Sequence, residues 1–142
     1  MKTAPLAIGL ISLVPLLGIS GCTPPAEPHP KTVEVKGKVS YQGRPLTRGT
    51  ITFRPDDGRP ALGDIQPDGS YTLSTFEKDD GAIIGHHRVS VSSSDEDPTV
   101  MPGSPNYRPA RELIPKKYTT FESSGLDATV GEQPRPQNFD LK

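Results

Sequence analysis

Tryptophan is absent from this 142-residue chain, and cysteine occurs once, at Cys22. A lone cysteine excludes an intrachain disulfide, so any fold must be held by one small apolar core. The missing tryptophan weighs against a sugar-binding platform, which needs exposed tryptophan or paired tyrosines for stacking. Sixteen lysines and arginines face 17 aspartates and glutamates, with no basic face to attract nucleic acid. From Lys31 to Lys142 no segment sustains a helical period. The Gly-x-Ser-x-Gly elbow of a serine nucleophile is also missing. A triad would have to recruit His86 or His87, the two histidines of that region.

What is present begins at Cys22. Between Lys2 and Cys22 no side chain is charged, and "APLAIGLISLVPLLGIS" is short and broken by Pro5 and Pro15. A charged start, a short apolar run and a small-residue exit describe a secretory signal peptide over residues 1–21 rather than a membrane-spanning helix. Ile19-Ser20-Gly21-Cys22 resembles the bacterial lipobox, in which the cysteine thiol takes a diacylglyceryl group and the new amino terminus is acylated in turn, commonly with palmitate. A thiolate is the soft nucleophile such thioether chemistry requires. Two or three acyl chains, at about 0.8 kcal/mol per buried CH₂, would hold the protein firmly to its membrane. Thr23, where many inner-membrane lipoproteins carry aspartate, favours the outer membrane by the same resemblance. The following "TPPAEPHP" has four prolines in eight residues. Residues 22–30 therefore read as the lipidated cysteine and an extended tether of about 25 Å, with His29 as a solvated spacer. Loss of residues 1–21 removes Lys2 and takes the net charge from −1 to −2.

Beyond the tether the pattern has period two. In "TVEVKGKVSY", Val33, Val35, Val39 and Tyr41 share one face, while Glu34, Lys36, Lys38 and Ser40 share the other. "GTITFRP" turns Ile51 and Phe53 inward, and "ALGDIQ" with "SYTLST" reads as a hairpin closed at Asp68-Gly69. "GHHRVSVSS" puts His87, Val89 and Val91 in phase. "GLDATV" and "QNFDLK" supply Leu126, Ala128 and Val130, then Phe139 and Leu141. Seven short strands with frequent turns predict an all-β domain over residues 31–142, a single seven-stranded antiparallel β-sandwich.

The succession "VKGKVSYQGRPLTRGTITFRP", "GDIQPDGSYTLST", "GHHRVSV", "IPKKY", "SSGL" and "NFDL" resembles the carboxypeptidase regulatory-like, transthyretin-like domain of small bacterial lipoproteins. It covers Thr32 to Lys142. The resemblance implies a β-sandwich in which Gly37 and Gly43 shape the first hairpin and Gly85 opens the fifth strand, and it brings no catalytic residues. His87 stands where that family more often has tyrosine. Transthyretin-like hydrolases that open a purine-derived ring end in Tyr-Arg-Gly-Ser, whereas this chain ends "NFDLK", which argues against that reaction.

Other candidate chemistry is sparse. His86 and His87 are adjacent, so on a strand they point to opposite faces and cannot readily share one ion; His87 reads as structural and His86 as solvated. Asp79, Asp80, Asp95, Glu96 and Asp97 offer hard oxygens, but neither run has EF-hand spacing, and solvated loop charge is the better reading. No metal, cofactor or catalytic residue is therefore expected. Ser94 to Thr120 is a long proline-rich connection, either a contact surface or a cover that packs Ile114 and Tyr118 onto the core. Tyr107 and Tyr118 both read as core covers. The expected protein is a non-enzymatic, lipid-anchored envelope module, structural or protein-binding. A ligand-binding module for a cell-wall, peptide or small ligand is the alternative, and a hydrolase the distant one.

Overall fold

The computed structural model describes residues 28–97 and 99–142; the expected signal peptide 1–21, Cys22 and the expected tether up to residue 27 lie outside the described residues. The described residues are all-β apart from one short 3-10 turn, Lys116–Thr119. Its strands are β1 Thr32–Val33, β2 Lys36–Tyr41, β3 Arg44–Pro45, β4 Thr50–Pro55, β5 Ala61–Asp64, β6 Ser70–Thr72, β7 Ala82–Ile83, β8 Gly85–Ser92, β9 Leu126–Val130 and β10 Phe139–Leu141. One sheet has the order β5-β4-β8-β9, all antiparallel. A second gathers β10, β2 and β3, with β6 also on β2. A two-stranded ribbon pairs β1 with β7.

The period-two reading places the core correctly. Ile51, Phe53, Val89 and Val91 are fully buried on the first sheet, and Val39, Tyr71 and Leu141 face them from the second. Phe53 bridges the two layers: its ring centroid lies 6.3 Å from that of Tyr71 and meets Phe139 edge-on at 5.9 Å, geometry that aromatic quadrupoles favour. Tyr41, Leu126 and Phe139, expected on the inward faces, are only partly buried against this cluster.

Several details differ from the sequence reading, beginning with the number of strands, ten where seven were expected. The first expected strand breaks at Glu34-Val35, because its start pairs with β7 and its remainder with β6, β3 and β10. The hairpin closes as expected, with Gly69 N donating to Gln66 O at 2.8 Å and Gly69 at φ 82°, yet its arms join different sheets, β5 on β4 and β6 on β2. The pairing is also not antiparallel throughout, since β10 runs parallel to β2 in the register Phe139↔Val39 to Leu141↔Tyr41. The cause is topological. β9 descends to the end of the domain where β2 begins, and the 131–138 connection crosses there to the second sheet, so both strands set out from one end.

That crossing explains Gly37, which lies inside β2 rather than in a hairpin turn. A Cβ there would come 1.8 Å from the Gln137 carbonyl oxygen. The turn glycine is Gly43, at φ 75°, in the left-handed region that glycine enters without strain.

The strands define two ends. Thr32 pairs with Ile83, two residues before Gly85, and Gly85 pairs with Val130. Ser92 at the other end of β8 pairs with Thr50. The N-terminal part of the described chain thus enters at the Gly85 end, and the Ser94–Thr120 connection leaves from the opposite one.

Candidate functional site

The 94–120 connection divides into two unlike halves. From Ile114 on it covers the core: Ile114 and Tyr118 are buried, and the Tyr118 hydroxyl donates to Lys142 O at 2.8 Å while accepting from Lys142 N at 2.9 Å. The 95–112 half projects instead as a loop with a pinched neck. Ser94 bridges to Glu112, Leu113 N donates to Ser93 O at 2.9 Å, and Asp95 N donates to Arg111 O at 3.0 Å. The Asp95 carboxylate adds a third tie, accepting from Arg111 N at 2.7 Å and facing the Arg108 guanidinium at 3.6 Å. That amide bond, with the charges of Arg108 and Arg111, holds the Asp95 carboxyl below its usual range.

Beyond the neck the loop organises itself. Asp97 Oδ1 accepts from both Thr99 N and Thr99 Oγ1, at 2.9 and 2.7 Å. Tight turns follow, from Met101 O to Ser104 N at 3.1 Å and from Ser104 O to Tyr107 N at 3.0 Å. The loop walls a cavity of about 160 Å³ lined by Asp95, Asp97, Tyr107 and Arg108 among others. Its crown exposes Met101 at 76% and Tyr107 at 45%. Tyr107 is therefore not a core cover, unlike Tyr118. An ordered loop that leaves methionine and tyrosine in water has met much of the ordering entropy of binding in advance.

A second concavity lies where the hairpin arms separate. Leu62 and Ser74 exchange backbone bonds at 2.9 and 2.8 Å, and Gln66 N donates to Ser70 O at 2.8 Å. Between these closed rungs the Asp64–Thr72 pair is left open, because β5 and β6 there serve different sheets. A shallow cleft of about 730 Å³ follows, walled by Lys36, Leu62, Asp64, Thr72, Lys78 and Asp79.

The histidines diverge as strand geometry demands. His86 lies on the outer face, its Nδ1 at 3.4 Å from Asp56 and its Nε2 at 3.3 Å from Asp127. These carboxylates face opposite ring nitrogens, so they cannot close on one ion. Among the described residues no three His, Cys, Asp or Glu side chains gather to hold a metal. His87 is sealed in the core at 0% exposure, beside Phe53 at 5.8 Å. Its Nε2 lies 2.7 Å from Ile83 O, so Nε2 carries the hydrogen, and the buried Nδ1 is left without a partner.

Burial depresses the His87 pKa, outweighing the bond to Ile83. A histidine depressed in the folded state binds its proton more readily when unfolded, so stability falls as pH drops below the ordinary histidine pKa of about 6.5. Thermal melts are expected to show a declining midpoint from pH 7.5 to 5, with a slope of at most about 1.4 kcal/mol per pH unit from this one proton. His87→Leu flattens that decline. An equal slope in parent and variant contradicts the assignment.

The acidic runs also divide. Asp80 is neither a solvated loop charge nor a ligand: its carboxylate accepts from the amides of Thr75 at 2.6 Å, Phe76 at 3.0 Å and Glu77 at 3.2 Å. Partial burial opposes ionisation there, but the three amides prevail and lower the pKa. Asp79, with φ 61°, donates its N–H to Ser74 Oγ at 2.9 Å. His29, read as a solvated spacer, stacks on Phe76 at 4.5 Å. Cys22 lies outside the described residues, and among those described no helix is long and apolar enough to cross a membrane. Compared with protein-family models, curated proteins and solved structures, the chain matches none.

Proposed function

We propose that the chain is a bacterial envelope lipoprotein, anchored through acylated Cys22 and held in the outer membrane in preference to the inner. Its folded part works as a non-enzymatic structural or protein-interaction module, a β-sandwich of the transthyretin-like, carboxypeptidase regulatory-like kind. Ile19-Ser20-Gly21-Cys22 supports the anchor, and two packed sheets around one core support the sandwich. The observation that carries the interaction role is the self-structured 95–112 loop with Met101 and Tyr107 at its crown. Aromatic and methionine side chains on rigid supports are the usual anchors of protein interfaces. The cleft at the open Asp64–Thr72 rung favours a second reading, a module that binds a small polar ligand. A saturable ligand that raises the melting temperature and is lost with changes at Lys36 or Lys78 would select it.

The anchor is tested by growing cells with labelled palmitate. The parent chain takes up label, and Cys22→Ala takes up none, because the acceptor thiol is gone. Label in the variant overturns the anchor. Replacing Glu96–Arg111 by a glycine linker is expected to remove envelope crosslinks while the core still melts cooperatively. Crosslinks unchanged in that folded variant overturn the loop as contact surface.

A further inference from the structure

The two ends of the domain face different surroundings once the anchor is considered, and the chain itself sets which is which. Six peptide steps separate Cys22 from Pro28, so Pro28 stays within about 20 Å of the lipid however those steps are arranged. From there the chain is tied down at once: His29 stacks on Phe76, and Thr32 and Val33 pair with Ile83 and Ala82. That ribbon abuts Gly85, the first residue of β8. The eight residues of β8 then carry the chain about 23 Å to Ser92, beyond which the 95–112 loop projects. The loop and the tether therefore occupy opposite ends of the longest strand.

The tether end offers little to hold lipid. Exposed Lys31, Lys36, Lys78 and Arg135 stand there with exposed Glu34, Glu77, Asp79 and Glu132, Lys36 paired with Glu34, so opposite charges balance at this end. Its loops are also braced from within, by Asp80 on the 75–77 amides and by Gln137 N donating to Lys36 O at 2.9 Å. This end can lie over the headgroups without sinking among them.

Resting on the lipoprotein reading above, we propose that the domain stands on its membrane by the β1–β7 end and presents the Met101–Tyr107 crown away from the bilayer, to a protein partner met several tens of ångströms from the lipid. The partner surface that fits is a shallow apolar recess for Met101 and Tyr107 with mixed charge at its rim, to meet the exposed Glu96, Asp97, Arg108 and Arg111. Two turns, Met101 O to Ser104 N and Ser104 O to Tyr107 N, shape that crown.

The single natural cysteine makes the test direct. With Cys22 acylated, the full-length lipidated protein takes no thiol-reactive dye, and Lys78→Cys and Met101→Cys each introduce one labelling site on an exposed position. Each labelled variant is reconstituted into phosphatidylglycerol–phosphatidylethanolamine vesicles carrying an energy acceptor on the headgroups. Transfer from position 78 is expected to exceed that from position 101 by about twofold or more, given the length of β8 between them. Equal transfer, or stronger transfer from position 101, with a parent that floats with the vesicles and stays unlabelled, overturns the orientation alone. A parent that takes dye and fails to float overturns the anchor reading and the orientation with it.

Discussion

Phe53→Ala is expected to lower the stability of the domain by about 3–5 kcal/mol, the largest effect of any single core truncation. Phe53 is fully buried and meets Tyr71, Phe139 and His87, so it touches both sheets at once. Deleting the ring loses its transfer free energy and leaves a void that β4, paired on both sides, cannot collapse to fill. Against a total of about 5–15 kcal/mol for a domain of this kind, the folded fraction at 37 °C falls sharply. Urea melts measure it. A midpoint within experimental error of the parent's would mean that Phe53 does not join the layers. Burial also pushes the Tyr71 phenol well above its usual pKa while its hydroxyl donates to Gln137 O at 2.6 Å, so the neighbouring aromatic cannot shift freely to take up the space.

Gly81→Ala is expected to cost about 3–4 kcal/mol, near the limit for a single methyl group. Gly81 has φ 87°, and a Cβ built there stands 1.8 Å from the Val33 carbonyl oxygen. The left-handed backbone alone accounts for about 1–2 kcal/mol; the rest comes from driving β1 off β7. Gly43→Ala is the internal control. Its φ is 75°, but nothing lies within 4 Å of the added carbon, so only the backbone penalty of about 1–2 kcal/mol remains. Equal melting temperatures for the two variants would show that the contact with Val33 carries no weight. Gly81→Ala also loosens the pairing of Thr32 and Val33 with Ile83 and Ala82.

The two positions show what could and could not be read from sequence. Alternation at Ile51 and Phe53, at Val89 and Val91, and at Ala128 and Val130 marked the inward faces correctly, because side chains on a strand alternate whatever their partners. Partner choice is not written in that alternation. The split of the hairpin arms, the parallel β10 and the need for glycine at 37 all arise from segments far apart in sequence, Gln137 meeting Gly37 across 100 residues. His87 was legible as a buried residue since it fell in phase with Val89. Asp80 was not, for the amides it caps lie in a loop without a capping signature. The long connection was recognised by its prolines, but its division at Leu113 depends on Ile114 and Tyr118 finding the core while Tyr107 does not.

The parallel strand has a further consequence, one of time. Val39 is paired with Phe139, so the second sheet cannot close until about a hundred residues have been drawn into one loop, and contacts of that span form slowly, on a scale of milliseconds to seconds. Until then the core cluster of Val39, Tyr71 and Phe53 lacks the side chains of β10, Leu141 within it and Phe139 edge-on to Phe53. On the envelope reading proposed above, the chain passes a membrane before it folds. A core whose last wall is the last strand stays open through that passage, without any separate device to hold it so.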